Sequence, residues 1–522
     1  MAQTRATLDG FRRNAADAGI MKTATIPKIV NAPWPIIPIG QPVITYSDNE
    51  RLRKIAGQLT ARSPSIKSEW FQRGNVTSGW APGLNIYIED HRSIALSTEE
   101  GAKSFEYRSL ALAEDGDYYL VSAPRNHQFE SYMRDHAGLG APTILELPKN
   151  PSAPLSRLAH ACLNNEGVLT ALSEAGKHHE NINIIPFISS GDIWILGREL
   201  AQRVQRHVSI VGASPKLTAL ANNKLWFAQF VSDILGRDAV PVTFAAYGLA
   251  HAAAKICALA RQGGKVVVKV PSSAGSMGNI VFDAAVFKEA SLHIIHSQLA
   301  DRLSATGWRR QFPILIGTWD QEVISSPSVQ IWVPSIKEGA PIIEGVFTQI
   351  VSGAARGFIG AEPASLSGAV SESLKLEALK LARALQFLGY FGRLSLDAVL
   401  IGVESSKVEI HWIEANARWG GVSIPMTVAH KIDPGCEAEG LLIVQKYTPG
   451  MHCPDIEALQ SQTGAPFVDV SNDRKTGILF LLPTQSNHLS FSVIGLPQNA
   501  AYATADEITD LCRSAAEDAA LE

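Results

Sequence analysis

The chain has 522 residues, enough for three or four domains of ordinary size or for two large ones, which excludes a single small binding module. Its 46 Lys and Arg nearly balance its 50 Asp and Glu, and the basic pairs are isolated, so the charge pattern of a nucleic-acid-binding protein is missing. Charged residues make up 18% of the chain and hydrophobic residues 46%, a composition that excludes intrinsic disorder and predicts large cores.

The cysteines and the N-terminal region bear on the cellular compartment. The five cysteines are far apart and form no Cys-x-x-Cys pair, which favours reduced thiols and a cytoplasmic location. Charged residues between positions 5 and 17 precede any apolar run, unlike a secretory signal. The longest apolar stretch, 240–260, contains a proline, a histidine and a lysine and therefore predicts a buried helix. We expect neither nucleic acid nor a membrane as a partner.

The first half of the chain predicts a parallel α/β domain. Before about residue 105 the signals are mixed, and the prolines of 31–40 predict irregular chain, so residues 1–105 are assigned to no domain. Short apolar runs then alternate with helical patterns, which is typical of a parallel sheet with helices against it. These runs predict strands at 118–123, 182–187 and 208–213, within a domain covering 106–222.

The second half predicts a second α/β domain, over 223–435, followed by a C-terminal segment, 436–522. A smaller unit of about 265–335 begins with a strand, a Gly/Ser-rich loop and a returning strand. Leucines and alanines at steps of four and three predict a helix that ends at Gly389. The further predicted elements are a helix at 283–303 and strands at 265–270, 313–319, 329–334, 394–401 and 408–416.

The last two strands carry a set of oxygen ligands. Alternation along a strand places Glu414 and Asn416 on one face. If the hairpin turns on 405–406, Asp397 lies directly opposite Glu414, with Cβ atoms about 5 Å apart. Carboxylate and amide oxygens without His or Cys favour Mg²⁺, for which Mn²⁺ is expected to substitute. A lone acid here would more often be an exposed strand end, but the nearby Arg418 makes a functional site the better interpretation.

Two lysines and the Gly/Ser-rich loop are the other candidates. The loop, 272–279, could turn its backbone N–H groups towards an anion, although alone it is a weak signal. Lys269 stands inside an apolar strand, where burial is costly without an anionic partner, and a solvent-facing edge position is the alternative. Lys224, by itself, is more typical of a solvated helix surface. No GxxxxGK[ST], GxSxG or HExxH motif occurs in the chain.

Taken in order, these motifs resemble the ATP-grasp family. The resemblance covers about 223–430 and is carried by Lys224, VVVKVPSSAGSMGN, VQIWVP, Asp397 and EANAR. More narrowly, DGDYYLVSAPRNHQFESYM and GYFGRLSLDAVL resemble the branch with a pre-ATP-grasp domain, of which the pheganomycin-type peptide ligase is an example. The resemblance implies an ATP-grasp fold preceded by a Rossmann-like pre-ATP-grasp domain, in the α/β (α+β) class.

The resemblance also implies roles for individual residues. Arg418 would be catalytic, holding the transferred phosphoryl group or an acyl phosphate. Mg²⁺ would be held by Asp397, Glu414 and Asn416. ATP would be bound by Lys224, Lys269, Gly275, Ser276, Gly278, Gln330, Trp332, Val333 and Glu344, with the adenine beside 330–333 and the ribose at Glu344.

The implied activity is ATP-dependent joining of a carboxylic acid to the amine of an amino acid or peptide through an acyl phosphate, in specialised-metabolite biosynthesis. Two alternatives stay open: an ATP-grasp phosphotransferase and a nucleotide-binding module without catalysis. A carboxylase is disfavoured because no biotin-carrier segment is recognisable. The expected partners are small-molecule or peptide substrates, and a homodimer is one of the assemblies that the sequence allows.

Overall fold

The protein combines one parallel and two antiparallel sheets, as the predicted α/β class requires. The computed structural model describes residues 32–67, 75–148, 157–273, 278–402, 408–434, 440–448, 453–484 and 488–521, with side chains described to 514. The sheets have six, four and nine strands. Within the described ranges, no helix is both long enough and apolar enough to cross a membrane.

The first described segment lies against the largest sheet. Helix α1 (Tyr46–Arg62) begins where the Thr45 side chain accepts a hydrogen bond from the Asp48 N–H, and it buries Leu52 and Ala56. Ahead of it, the Ile39 N–H donates to the Ile343 carbonyl across 3.0 Å. Part of the region that the sequence left unassigned therefore belongs structurally to the second half of the chain.

The six-stranded sheet is entirely parallel, in the order β1–β6–β5–β2–β3–β4. Its first strand starts at Val76, so the α/β unit extends further towards the N-terminus than the predicted start at 106. Its strands are β1 (Val76–Ser78), β2 (Leu84–Ile88), β3 (Tyr118–Ser122), β4 (Thr143–Leu147), β5 (Asn181–Pro186) and β6 (His207–Ile210). Its helices are α2 (Glu99–Ser104), α3 (His127–Ser131), α4 (Leu158–Leu163), α5 (Glu166–Gly176), α6 (Gly191–Val204) and α7 (Pro215–Ala221).

Strand order in this sheet creates a crevice. Strands β3 and β4 follow β2 on one side of the sheet, and β5 and β6 lie on its other side. Parallel sheets of this kind bind ligands outside the carboxyl ends of the strands where the winding direction changes. The residues that follow β2 and β5 are therefore the part of this domain best placed to contribute to a site.

A small lid unit follows α8 (Lys224–Leu235) and contains a four-stranded antiparallel sheet in the order β7–β10–β8–β9. The single helix predicted at 283–303 is two helices, because Asp283 caps the first and Ser291 caps the second. The lid elements are β7 (Thr243–Ala246), α9 (Leu249–Ala260), β8 (Lys265–Lys269), β9 (Asn279–Asp283), α10 (Ala284–Phe287), α11 (Leu292–Ala305) and β10 (Ile314–Trp319).

The nine-stranded antiparallel sheet forms the body of the second half. It includes 327–333, which the sequence placed in the lid, and its last three strands lie in the C-terminal segment. Its strands are β11 (Val323–Ser325), β12 (Pro327–Val333), β13 (Ile342–Ser352), β14 (Gly357–Pro363), β15 (Gly392–Ile401), β16 (Glu409–Asn416), β17 (Leu441–Tyr447), β18 (Gly477–Phe480) and β19 (His488–Ile494). Its helices are α12 (Gly368–Phe387), α13 (Ser423–Ile432), α14 (Ile456–Gln462) and α15 (Gln498–Leu521).

Helix α12 packs against α1 and buries the leucine and alanine face that its sequence pattern predicts. Gly389 follows it with φ of +96°, a left-handed conformation that glycine adopts without a Cβ clash. The chain then enters β15, the strand that contains Asp397 and pairs with β11, β12 and β16.

Candidate functional site

The β15–β16 hairpin aligns the predicted oxygen ligands. Asp397 pairs directly with Glu414, as predicted, and Ser395 pairs with Asn416. A bulge between Asp397 and Ala398 shifts the pairing nearer the turn by one residue from the predicted register, so that Ile401 pairs with Glu409. The proposed turn at 405–406 lies outside the described residues. Asp397 accepts hydrogen bonds from the Ser328 hydroxyl at 2.5 Å and from the Asn416 amide at 3.0 Å. The three side chains therefore lie together on one face of adjacent strands.

The two carboxylates of this group repel each other. Burial, followed by the charge of Glu414, raises the pKa of Asp397 to about 7. Burial also opposes ionisation of Glu414, but the Lys224 ammonium, 2.6 Å from it, holds the pKa of Glu414 below its usual value. A divalent cation between the two acids would remove their repulsion, so the donor set fits Mg²⁺. Among the described residues, no group of three or more His, Cys, Asp and Glu side chains is placed to hold a metal ion, so the fit to Mg²⁺ includes the side-chain oxygen of Asn416 as a third oxygen donor.

Arg418 is fixed next to these ligands. Its guanidinium donates to the Asn416 side-chain oxygen at 2.6 Å and to the Trp419 carbonyl at 3.0 Å. Its Cζ lies 5.4 Å from the centre of the Phe187 ring, which belongs to the parallel-sheet domain. Burial lowers the pKa of Arg418, while Glu414 and Asp397 favour its charge. The guanidinium is thus a preoriented cation at the junction of two domains.

The two predicted lysines approach the same acids from the lid side. Lys224 is only 7% exposed, pairs with Glu414, and donates to the Ser273 carbonyl at 2.5 Å. Lys269 ends β8, and burial, followed by the charge of Lys224, lowers its pKa to about 8. An anionic ligand beside Lys269 would favour the charged form of this lysine, so the position suits phosphate.

Two cavities meet at the acids. The narrower one, about 110 Å³, lies between the lid and the large sheet and is lined by both lysines, both acids and 318–320. The larger one, about 550 Å³, shares Asp397 and Glu414 and adds Asn416, Arg418 and residues of the parallel-sheet domain. Side chains that could bind phosphate, a metal ion and a second ligand therefore lie around the point where the two cavities meet.

Gly278 is the predicted phosphate-covering residue of the loop 272–279 that lies among the described residues. A Cβ on Gly278 would come within 2.5 Å of the Ser273 hydroxyl and 2.9 Å of the Val270 Cβ, so only glycine fits there. Its carbonyl accepts from the Val270 N–H at 3.0 Å, which closes the base of the loop. Gly275 and Ser276 lie outside the described residues.

The structure does not place the remaining predicted ATP ligands together. Gln330 lines the larger cavity and donates to the Ser328 hydroxyl at 2.8 Å, so it supports Asp397 indirectly. Trp332 and Val333 are fully buried and line neither cavity. Glu344 is buried in an ion pair with Arg393, also outside both cavities.

Several cavity residues were missed from the sequence. The narrower cavity is also lined by the chain that connects the lid sheet to the large sheet. This connection includes the end of β10 and consists here of Thr318, Trp319 and Asp320. His91 and Arg108 reach the larger cavity from the parallel-sheet domain. The polar run Glu89–Arg92, directly after the apolar β2, is a signal that could have drawn attention to His91.

Comparisons with known proteins agree with this architecture. Residues 106–202 match the model of the Pre ATP-grasp domain family. The biotin carboxylase–βγ-ATP complex from Campylobacter jejuni is similar in structure, with a TM-score of 0.50 and 15% identity over 83% of this chain and 95% of that one. The fold is therefore an ATP-grasp fold with a preceding pre-ATP-grasp domain.

Two further solved structures were found at lower similarity. The biotin carboxylase domain of Hydrogenobacter thermophilus 2-oxoglutarate carboxylase has a TM-score of 0.49 and 11% identity, over 81% of this chain and 89% of that one. N5-carboxyaminoimidazole ribonucleotide synthetase from Thermus thermophilus has a TM-score of 0.47 and 14% identity, over 82% and 98%. No curated protein matches the sequence significantly.

Proposed function

We propose that the protein is an ATP-dependent ligase that joins a carboxylic acid to the amine of an amino acid or peptide through an acyl phosphate. The observation that carries this proposal is the meeting of Lys224, Asp397, Glu414, Asn416 and Arg418 where the two cavities join. The match to a pre-ATP-grasp domain and the ATP-grasp fold support it. A role in specialised-metabolite biosynthesis is part of the proposal.

The narrower cavity is proposed to bind ATP. Lys224 and Lys269 would contact the phosphates, and the loop that ends at Gly278 would cover them. We place the adenine beside 318–320, because these residues line the cavity whereas Trp332 and Val333 are enclosed in the core. We also propose no ribose contact for Glu344, since its carboxylate is engaged by Arg393.

Asp397, Glu414 and Asn416 are proposed to hold Mg²⁺, or Mn²⁺ in its place. When bound, the cation would supply positive charge that offsets the negative charge of the phosphate oxygens. Ser328 and Arg418 would orient the ligands, because the first donates to Asp397 and the second donates to Asn416.

The larger cavity is proposed to hold the acid. A carboxylate oxygen would attack the γ-phosphorus of ATP, the bond to the bridging oxygen would break, and ADP would leave. The amine would then attack the acyl carbon and displace phosphate. The Arg418 guanidinium would stabilise the charge on the transferred oxygens, as a fixed cation suited to oxyanions.

The proposal is tested by measuring ADP release with Mg²⁺ and a panel of amino acids and peptides, with products identified by mass spectrometry. We expect ADP to form only when both an acid and an amine are present, together with an amide product. ADP formed with one substrate and a stable phosphate ester would indicate a phosphotransferase, and bicarbonate-dependent ADP release would indicate carboxylation. Binding of ATP without ADP release under any condition would contradict catalysis.

A further inference from the structure

A polar cluster unused by the proposed chemistry lies at the crevice of the parallel sheet. Glu89 and His91 directly follow β2, and Glu89 is 1% exposed. The Glu89 carboxylate accepts from the Arg108 guanidinium at 3.0 Å and from His91 Nε2 at 2.9 Å. The charge of Arg108 and the hydrogen bond from His91 outweigh the effect of burial and keep the pKa of Glu89 below its usual value. Glu89 is therefore an ionised acceptor for both side chains.

This bond defines the protonation pattern of the imidazole. An ionised carboxylate only accepts hydrogen bonds, so His91 Nε2 carries the proton and Nδ1 carries the lone pair. Arg108 also approaches Nε2, at the longer distance of 3.3 Å. Nδ1 makes no hydrogen bond to any described residue, and His91 lines the larger cavity. Nδ1 is thus the nitrogen available to a ligand there.

The ring plane is fixed as firmly as the tautomer. The imidazole stacks on two phenyl rings. Its ring centre lies 4.8 Å from that of Phe105, with 8° between the ring planes, and 3.8 Å from that of Phe187, with 14° between the planes. Arg418 lies over that same Phe187 ring. Because one phenyl ring contacts both side chains, the imidazole and the guanidinium are held in a constant relation at the wall of the larger cavity.

His91 is also neutral at physiological pH. Burial, and the positive charges of Arg108 and Arg418, lower its pKa to about 4, against the opposing effect of Glu89. A neutral imidazole can accept a proton. The negative charge of a nearby acyl phosphate would raise the pKa of His91 again and so make the imidazole a stronger base.

We propose that His91 is the general base that deprotonates the amine substrate, and that Glu89 is a positioning residue that fixes its tautomer. This inference rests on the proposed ligase function. As the amine nitrogen bonds to the acyl carbon, the bond from that carbon to the phosphate oxygen breaks and phosphate leaves with the electron pair. The amine arrives in its ammonium form, and one of its protons moves to His91 Nδ1 before the attack, which frees the nitrogen lone pair, and then passes to water. A second N–H proton leaves with the phosphate as the amide forms. The preceding acyl phosphate formation moves no proton through His91.

The test compares two nucleophiles in wild-type protein and in His91→Asn. The reactions contain ATP, Mg²⁺ and an equimolar mixture of the proteinogenic amino acids and their dipeptides, with or without hydroxylamine. Mass spectrometry quantifies the amide and hydroxamate products. An α-amino group has a pKa of about 8 and is mostly protonated at neutral pH, so it needs a base to free its lone pair. Hydroxylamine is mostly unprotonated and attacks without that step, and the N–H proton that it loses on forming the hydroxamate leaves with the phosphate. We expect the variant to keep hydroxamate formation within a few-fold of wild type while amide formation falls by about a hundredfold or more. Hydroxamate formation also reports that the variant is folded.

The control is His207→Asn, a half-buried histidine hydrogen-bonded to Thr77 in the parallel sheet, which should leave both products unchanged. Equal loss of both products in His91→Asn would show that His91 only braces the cavity, and retention of both would show that it is dispensable. Either result would overturn the assignment. A wild-type protein that forms neither product would contradict the ligase function itself, and the role of His91 with it.

Discussion

The Arg418 side chain has two roles in the proposed site, orienting a metal ligand and supplying positive charge. It orients Asn416 through a 2.6 Å hydrogen bond and faces the larger cavity as a partly desolvated cation. A cation that is already oriented needs no reorganisation when negative charge develops on a transferred phosphoryl group. Electrostatic stabilisation of the transition state is strongest when the charged group is preorganised in this way. Its contribution should therefore appear in the chemical step more than in ATP binding.

For Arg418→Ala we expect kcat to fall about a hundred- to a thousandfold, with ATP affinity within a few-fold of wild type. Turnover is followed by ADP release and affinity by calorimetric titration. Arg134→Ala is the matched control, because Arg134 is exposed and pairs only locally with Asp135. Normal ligation by the Arg418 variant, or a defect confined to ATP affinity, would remove Arg418 from the chemistry.

Asp397 gives the site a pH dependence. Its pKa is raised to about 7, so below that pH the side chain is largely neutral and is a poor metal ligand. We expect Mg²⁺ affinity, measured by calorimetry without nucleotide, to fall between about pH 8 and about pH 6, with proton release on binding at the lower pH. In Asp397→Asn both the pH dependence and the proton release should disappear. Equal Mg²⁺ affinity at both pH values in the wild type would refute this role.

At the level of secondary structure, the sequence predicted what depends on local pattern. Counting residues from an assumed turn placed Asp397 opposite Glu414, as observed. The count fails nearer the turn, because the bulge between Asp397 and Ala398 shifts the pairing there by one residue. The adenine contacts predicted at 330–333 and those that we propose at 318–320 differ for a related reason. ILIGTW and VQIWVP are both short apolar runs, and periodicity does not show which one ends the lid and which one lies in the core of the next sheet.

This difference predicts opposite phenotypes for two tryptophans. Trp319 is half-buried in the narrower cavity, 6.0 Å from the Lys269 ammonium, so Trp319→Ala should weaken ATP binding by about 1–3 kcal/mol and barely change stability. Trp332 is fully buried, so Trp332→Ala should lose about 3–5 kcal/mol of unfolding free energy while the folded fraction binds ATP normally. Calorimetric titration and urea unfolding measure the two effects. The reverse assignment of phenotypes would place the adenine at 330–333.

At the scale of the whole molecule, the site is assembled from three units that are far apart in sequence. The Ala95 N–H, after β2, donates to the Ser272 carbonyl of the lid at 3.3 Å, and the Lys224 N–H donates to the Pro271 carbonyl at 3.0 Å. Such contacts depend on how the parallel sheet, the lid and the large sheet pack together. Local patterns contain no information on this packing, which explains why His91 and Arg108 could not be placed from the sequence whereas Lys224 was found through a motif.

The central claim is that the carboxylate of one substrate attacks ATP to form an acyl phosphate, which the amine then attacks. The direct test is to supply the acid with ¹⁸O at both carboxylate oxygens, together with ATP, Mg²⁺ and the amine, and to measure the mass of the released phosphate. Attack on the γ-phosphorus transfers one carboxylate oxygen to that phosphate, so we predict one ¹⁸O in the phosphate for each amide formed. Amide formation with unlabelled phosphate would contradict the acyl-phosphate pathway.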